Sequence, residues 1–156
     1  MQPLRAQIEK LLKGEEFDGR DKLIALGTSA VPTLIEIAQH DPNVLHRARA
    51  LDVLGRIGDH QVIPVLSAGL RAQDSLERVA AVQALSEVAG AESVKTLVSL
   101  LEEPDPALVK VVLRSLARVG DASALAALER AQREPSSEPL RAEVETAINE
   151  IRGRMA

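Results

Sequence analysis

A chain that repeats itself about every 31 residues has little freedom in how it folds, because each copy must bury its apolar side against the next. The segment HRARALDVLGRIGD from His46 returns as ERVAAVQALSEVAG from Glu77, LVKVVLRSLARVGD from Leu108 and LRAEVETAINEIRG from Leu140, at spacings of 31, 31 and 32 residues. Shorter segments of a second kind lie between them: AVPTLIEIA from Ala30, VIPVLSAGL from Val62, SVKTLVSLL from Ser93 and ALAALERA from Ala124. In the longer segments apolar residues step by three and four, as in Ala50, Leu54 and Ile57 or Ala81, Leu85 and Val88. That spacing makes the one-sided stripe of an amphipathic helix. Ile63, Leu66 and Leu70, and then Val94, Leu97 and Leu101, do the same in the shorter segments. No run alternates with period two, so strands are not expected.

Two alternating helices per period predict an all-α solenoid of about five stacked antiparallel helix pairs. The expected helices are 3–13 with 16–26, 29–40 with 43–57, 60–72 with 75–89, 91–103 with 106–119, and 122–133 with 138–152, together forming one repeat domain over 1–156. Local punctuation fits this period. Asp41-Pro42 and Asp105-Pro106 each offer an N-cap acceptor followed by proline at the first helical position, where a missing N–H costs nothing. Gly58-Asp59 and Gly120-Asp121 read as a left-handed helix-ending glycine followed by the cap of the next helix. Residues 133–139, REPSSEP, read as a stretched inter-repeat turn.

Composition narrows function by exclusion. Apolar residues make up 46% of the 156-residue chain, yet the aromatics are a single Phe with no Trp or Tyr, so base-stacking platforms are missing. A net charge of −4 gives no field to draw phosphate backbones or anionic membranes, so neither nucleic acid nor membrane is an expected partner. The amphipathic N-terminus carries charges where a signal peptide would be uninterruptedly apolar, and no later run is long enough to span a bilayer. A cytoplasmic location is the default expectation. Cysteine is absent, which removes thiol nucleophiles and Cys-based metal sites. His40, His46 and His60 stand at no spacing that seats zinc or iron, and no His-Glu dipeptide occurs. Without a partnered His or Cys the many Ser and carboxylate residues form no nucleophilic constellation. Neither catalysis nor a cofactor is expected.

The residues Asp41, Arg47, Ala50 and Leu54-Gly55-Arg56-Ile57-Gly58-Asp59 resemble the second-helix signature of the HEAT-repeat family, in particular the short bacterial and archaeal type also found in phycobilisome lyases. Arg78, Ala81 and Leu85, and Arg141, Val144 and Ile148, match partly. Val109 departs by replacing the Arg, and Ala72 and Pro135 by replacing the turn Asp. The resemblance covers most of residues 28–152. It implies a right-handed alpha-alpha superhelix, an Arg–Asp ladder between repeats, and a non-catalytic scaffold or adaptor whose longer helices line an inner surface that meets another protein or an extended peptide. The alternative it carries is a subunit of a bilin-lyase-type enzyme, or another enzyme on this fold. Angular placement at 100° per residue puts Asp52, Arg56, Gln83, Glu87, Lys110, Arg114 and Arg118 on that face, with Thr146 and Glu150 beyond them. Two readings of the face stay open: an ion-pair ladder in solvent or a charge-patterned groove that selects a partner.

Overall fold

A computed structural model describes residues 2–15, 17–88 and 90–156. Among the described residues there are ten α-helices and no strand: α1 Gln2–Lys13, α2 Arg20–Leu26, α3 Val31–His40, α4 Val44–Ile57, α5 Ile63–Gly69, α6 Ser75–Glu87, α7 Ala91–Ser99, α8 Pro106–Val119, α9 Ala122–Gln132 and α10 Arg141–Met155. The contacts group the chain into two compact units, 1–88 and 89–156.

In the first unit α1 packs on α2, α3 on α4 and α5 on α6, while α1, α3 and α5 form one layer and α2, α4 and α6 the other. In the second unit α7 packs on α8 and α9 on α10, with α7 against α9 and α8 against α10. This two-layer stacking of helix pairs is the all-α solenoid arrangement that the period predicts. Leu34, Leu54, Leu66 and Leu85 are fully buried in the first unit, and Leu97, Leu116 and Leu128 in the second. Each such leucine contributes roughly 1.5–3 kcal/mol relative to an exposed one. None of the buried hydrophobic side chains of either unit is aromatic, so helices approach closely over small residues. A Cβ on Gly55 of α4 would sit 2.5 Å from the Ala84 Cα of α6, and one on Gly120 would meet Ile151 Cδ1 of α10 at 2.5 Å.

Several boundaries differ from the sequence-based expectation, for local reasons. The second helix begins at Arg20, because Phe17 takes a left-handed backbone (φ 48°) that cannot lie inside a helix. The expected start at residue 16 lies outside the described residues, as does residue 89 at the end of the sixth helix. The span expected as helix 60–72 is a 3-10 turn, His60–Val62, followed by α5, which stops at Gly69. Residues 100–102 likewise tighten to 3-10, and the stretched turn winds into a 3-10 segment, Pro135–Leu140, so that α10 starts at Arg141 and runs to Met155.

Asp105 caps α8 through the Ala107 N–H at 2.9 Å with Pro106 at the first position, and Asp121 caps α9 through Ser123 and Ala124 N–H at 3.0 Å each. Asp41 does not cap α4. That role falls to Asn43, which accepts from Leu45 N–H at 2.8 Å, and Pro42 lies before the helix. Gly58 is left-handed as expected (φ 74°), whereas Gly120 is extended (φ −62°, ψ 148°) and serves by its lack of a side chain against Ile151.

Candidate functional site

Seven residues carry the expected binding face, and the two units are best built up separately. On α4 and α6, Asp52 is half-buried while Arg56, Gln83 and Glu87 are exposed. The four share a side because residues four apart on a helix project together, and the glycine contact at Gly55–Ala84 brings the two helices close.

Asp52 is already engaged. Its Oδ1 accepts from Arg56 Nε at 3.0 Å, and Arg20 Nε on α2 lies 3.1 Å from Oδ2 as an ion pair without hydrogen-bond alignment. The hydrogen bond to Asp52, joined by the field of Asp52 and more weakly of Glu87, holds the Arg56 guanidinium pKa above its ordinary value. This half of the face is therefore a chain of alternating charges, Arg20–Asp52–Arg56, with Glu87 in electrostatic reach.

In the second unit the arrangement is more open. Lys110 Nζ sits 2.9 Å from Glu143 Oε1 of α10. The hydrogen bond from Lys110 holds the Glu143 carboxyl below the usual range, with the charges of Lys110 and Arg114 adding to it. Arg114 and Arg118 are exposed along α8. They border a groove of about 480 Å³ between α8 and α10, floored by Leu113 and Ala147 and closed opposite by Thr146 and Glu150. Among the described residues Arg114 makes no hydrogen bond or close ion pair; Glu143 is the carboxylate that feels its charge. The structure thus brings Lys110, Arg114 and Arg118 together on one helix face, and Asp52, Arg56, Gln83 and Glu87 on another.

Sequence reasoning missed the partners. Arg20 lies on α2, outside the expected face, and Glu143 on α10 was not among the positions singled out there, yet they hold Asp52 and Lys110. At Arg47 the repeat rung also differs in detail from an Arg–Asp ladder. Arg47 donates to the Asp41 backbone carbonyl at 2.7 Å and to Glu77 Oε1 of the next repeat at 2.6 Å, while Asp74 caps α6 through Leu76 N–H. A common signal runs through these pairs. Arg5–Glu36, Arg47–Glu77, Arg20–Asp52 and Lys110–Glu143 join opposite charges about one period apart in sequence, so the repeat length itself could have found them.

His40 and His60 are exposed, and His46 Nδ1 lies 3.1 Å from Asp41 Oδ1. No group of three metal-ligating side chains occurs among the described residues. No helix among them is long and apolar enough to cross a membrane.

A family model described as HEAT repeats matches the chain twice, over residues 21–86 and 66–149. A search of curated proteins returned no match. Among solved structures the chain is similar to the crystal structure of an engineered protein, a target of the Northeast Structural Genomics Consortium. The TM-score is 0.58 at 22% identity, over 94% of this chain and 70% of that one, which is a likeness of fold alone.

Proposed function

Because the chain belongs to the HEAT-repeat family, we propose that it is a non-catalytic interaction scaffold that presents the exposed side of its second helices to another protein. HEAT repeats generally mediate protein–protein contact. The observation that carries the reading is Arg114, an exposed guanidinium over an open groove with no ion pair of its own. Lys110 beside it is matched by Glu143, so the face is ordered by its own charges and still offers one cation to a visitor. Arginine suits that role, since its planar fork takes a carboxylate at two points.

The partner segment that fits is acidic and extended, and it must bring its own aromatic anchors because the residues lining this groove include none. Asp52, Arg56 and Glu87, with neutral Gln83 among them, supply alternating charge on the first unit, which favours register and discrimination more than raw affinity. The test is capture from the lysate of the source cells, with wild type compared to Arg114→Glu alone and combined with Arg118→Glu. At least a fivefold loss of one or more captured proteins is expected. A partner set unchanged in both variants sinks the reading.

A further inference from the structure

A second groove, of about 850 Å³, opens on the second unit where the 3-10 ends of two repeats face one another. Its walls are the 3-10 continuation of α7 and the start of α8 on one side, and the end of α9 with the 135–140 turn on the other. That turn is the stretched one in the sequence, and it carries two prolines, Pro135 and Pro139.

The floor is aliphatic. Leu101 and Leu140 are half-buried and present their edges to the groove above buried Val109. The rim is acidic: Glu102, Glu103 and Glu134 are all exposed, against one lining cation, Arg130. Among the described residues none of the three carboxylates has a hydrogen bond or ion pair, whereas nearby Glu138 is taken by Arg141 at 2.5 Å. A space of this size falls in the range that receives a bulky side chain or small ligand, and neutral apolar ligands would leave the carboxylates without counter-charge.

We infer that this groove binds a short basic segment of a partner protein, seating one bulky apolar side chain on Leu101 and Leu140 while flanking lysines or arginines meet Glu102, Glu103 and Glu134. The inference rests on the reading of the chain as an interaction scaffold, but it places a second site of opposite charge preference on a different edge of the second unit. Two segments of one partner, one acidic and one basic, could then be held at once, which raises affinity through effective concentration.

The probe is a fluorescein-labelled peptide, Gly-Lys-Lys-Phe-Leu-Lys-Lys-Gly, followed by fluorescence anisotropy with the full chain in 150 mM salt. Two control peptides replace Phe-Leu by Ser-Ser, or all four lysines by glutamate. Saturable binding of the first peptide is expected, weakened at least fivefold by Ser-Ser and lost with glutamate. Glu102→Lys with Glu103→Lys is expected to weaken the first peptide at least tenfold. Glu92→Lys with Glu145→Lys, the same charge change at exposed positions away from the groove, is expected to change it less than threefold. Both pairs are on the surface, and a helical circular dichroism spectrum is required of each variant before binding is compared. No saturable binding, equal binding of the Ser-Ser peptide, or equal loss in the two double variants overturns the proposal. Each of these outcomes leaves the Arg114 capture result standing or falling by itself.

Discussion

At the scale of single residues, what the sequence shows clearly is what depends on near neighbours. Asp105, Asp59 and Asp121 cap the segments that follow them through N–H groups two or three residues on, and the left-handed Gly58 ends α4. Asp41 has the same local signature and accepts from the Asn43 N–H two residues on at 2.9 Å, but α4 starts only at Val44. Its carboxylate is also engaged by Lys13 from α1 at 2.9 Å and His46 from α4 at 3.1 Å. The Lys13 contact depends on the docking of α1, which no local pattern encodes. Burial works to raise the Asp41 carboxyl, but hydrogen bonds from Lys13, the Asn43 N–H and His46 outweigh it and bring the pKa from 3.8 down to about 2. A carboxyl depressed in the folded state stabilises above its unfolded pKa and stops doing so as pH falls through the folded one. The contribution is on the order of 2 kcal/mol at neutral pH, fully present above about pH 5 and mostly gone by pH 2. Asp41→Asn is therefore expected to lose about 2 kcal/mol at pH 7 and to converge on wild type as pH approaches 2. Urea unfolding at several pH values checks this, and a gap that stays constant with pH would remove Asp41 as the cause.

At the scale of elements, the helices were legible from their stripes, whereas the contacts that hold their ends were not. The last turn of α1 shows why. Arg49 of α4 donates Nη1 to the carbonyls of Leu12 and Gly14 at 2.9 and 2.7 Å, and Nη2 to that of Glu15 at 3.3 Å. Its guanidinium also lies 4.7 Å from the centre of the Phe17 ring, with Arg20 at 5.1 Å from the same ring. The chain's one aromatic thus lies within cation–π distance of two guanidinium groups, and the left-handed Phe17 that shortens α2 belongs to this clasp. Helix ends leave carbonyls that need a donor, and here the donor is supplied from some 35 residues away. Arg154 of α10 does the equivalent for α8, donating to the carbonyls of Ala117 and Gly120. Arg49→Ala is expected to cost about 1–3 kcal/mol, through bonds from a charged donor with a smaller cation–π part. Arg49→Lys recovers less than half of that, because an ammonium cannot fork across three carbonyls or lie flat on the ring. Urea melts of the three proteins decide it; a loss below about 0.5 kcal/mol would show that water caps α1 equally well.

For the molecule as a whole, the period of about 31 residues was enough to give the class of fold and the number of helix pairs, since an amphipathic helix has no stable use until something covers its stripe. The grooves on the second unit were not legible, because each is walled by residues of two successive repeats and its width is set by how those repeats pack. Lys110, Arg114 and Arg118 were legible as sharing a helix face, while Glu143, the partner of Lys110 about one period on, lay outside the positions that angular placement singled out. The same nearest-neighbour logic predicts how stability divides. The first unit holds three helix pairs, so its middle pair, α3 with α4, is covered on both sides within the unit. The second holds two pairs, each with a neighbour on one side only within the unit. Repeat arrays need about three units before the gain from stacking exceeds the ordering cost of each pair. A fragment of residues 1–88 is therefore expected to unfold cooperatively in urea with a helical circular dichroism spectrum, and one of residues 89–156 to show weaker helicity and a broad, low-midpoint transition. If the C-terminal fragment proved the more stable of the two, the stacking of pairs would not be what holds this chain together, and the close contact of Gly120 with Ile151 and the Arg154 clasp would have to supply the stability instead.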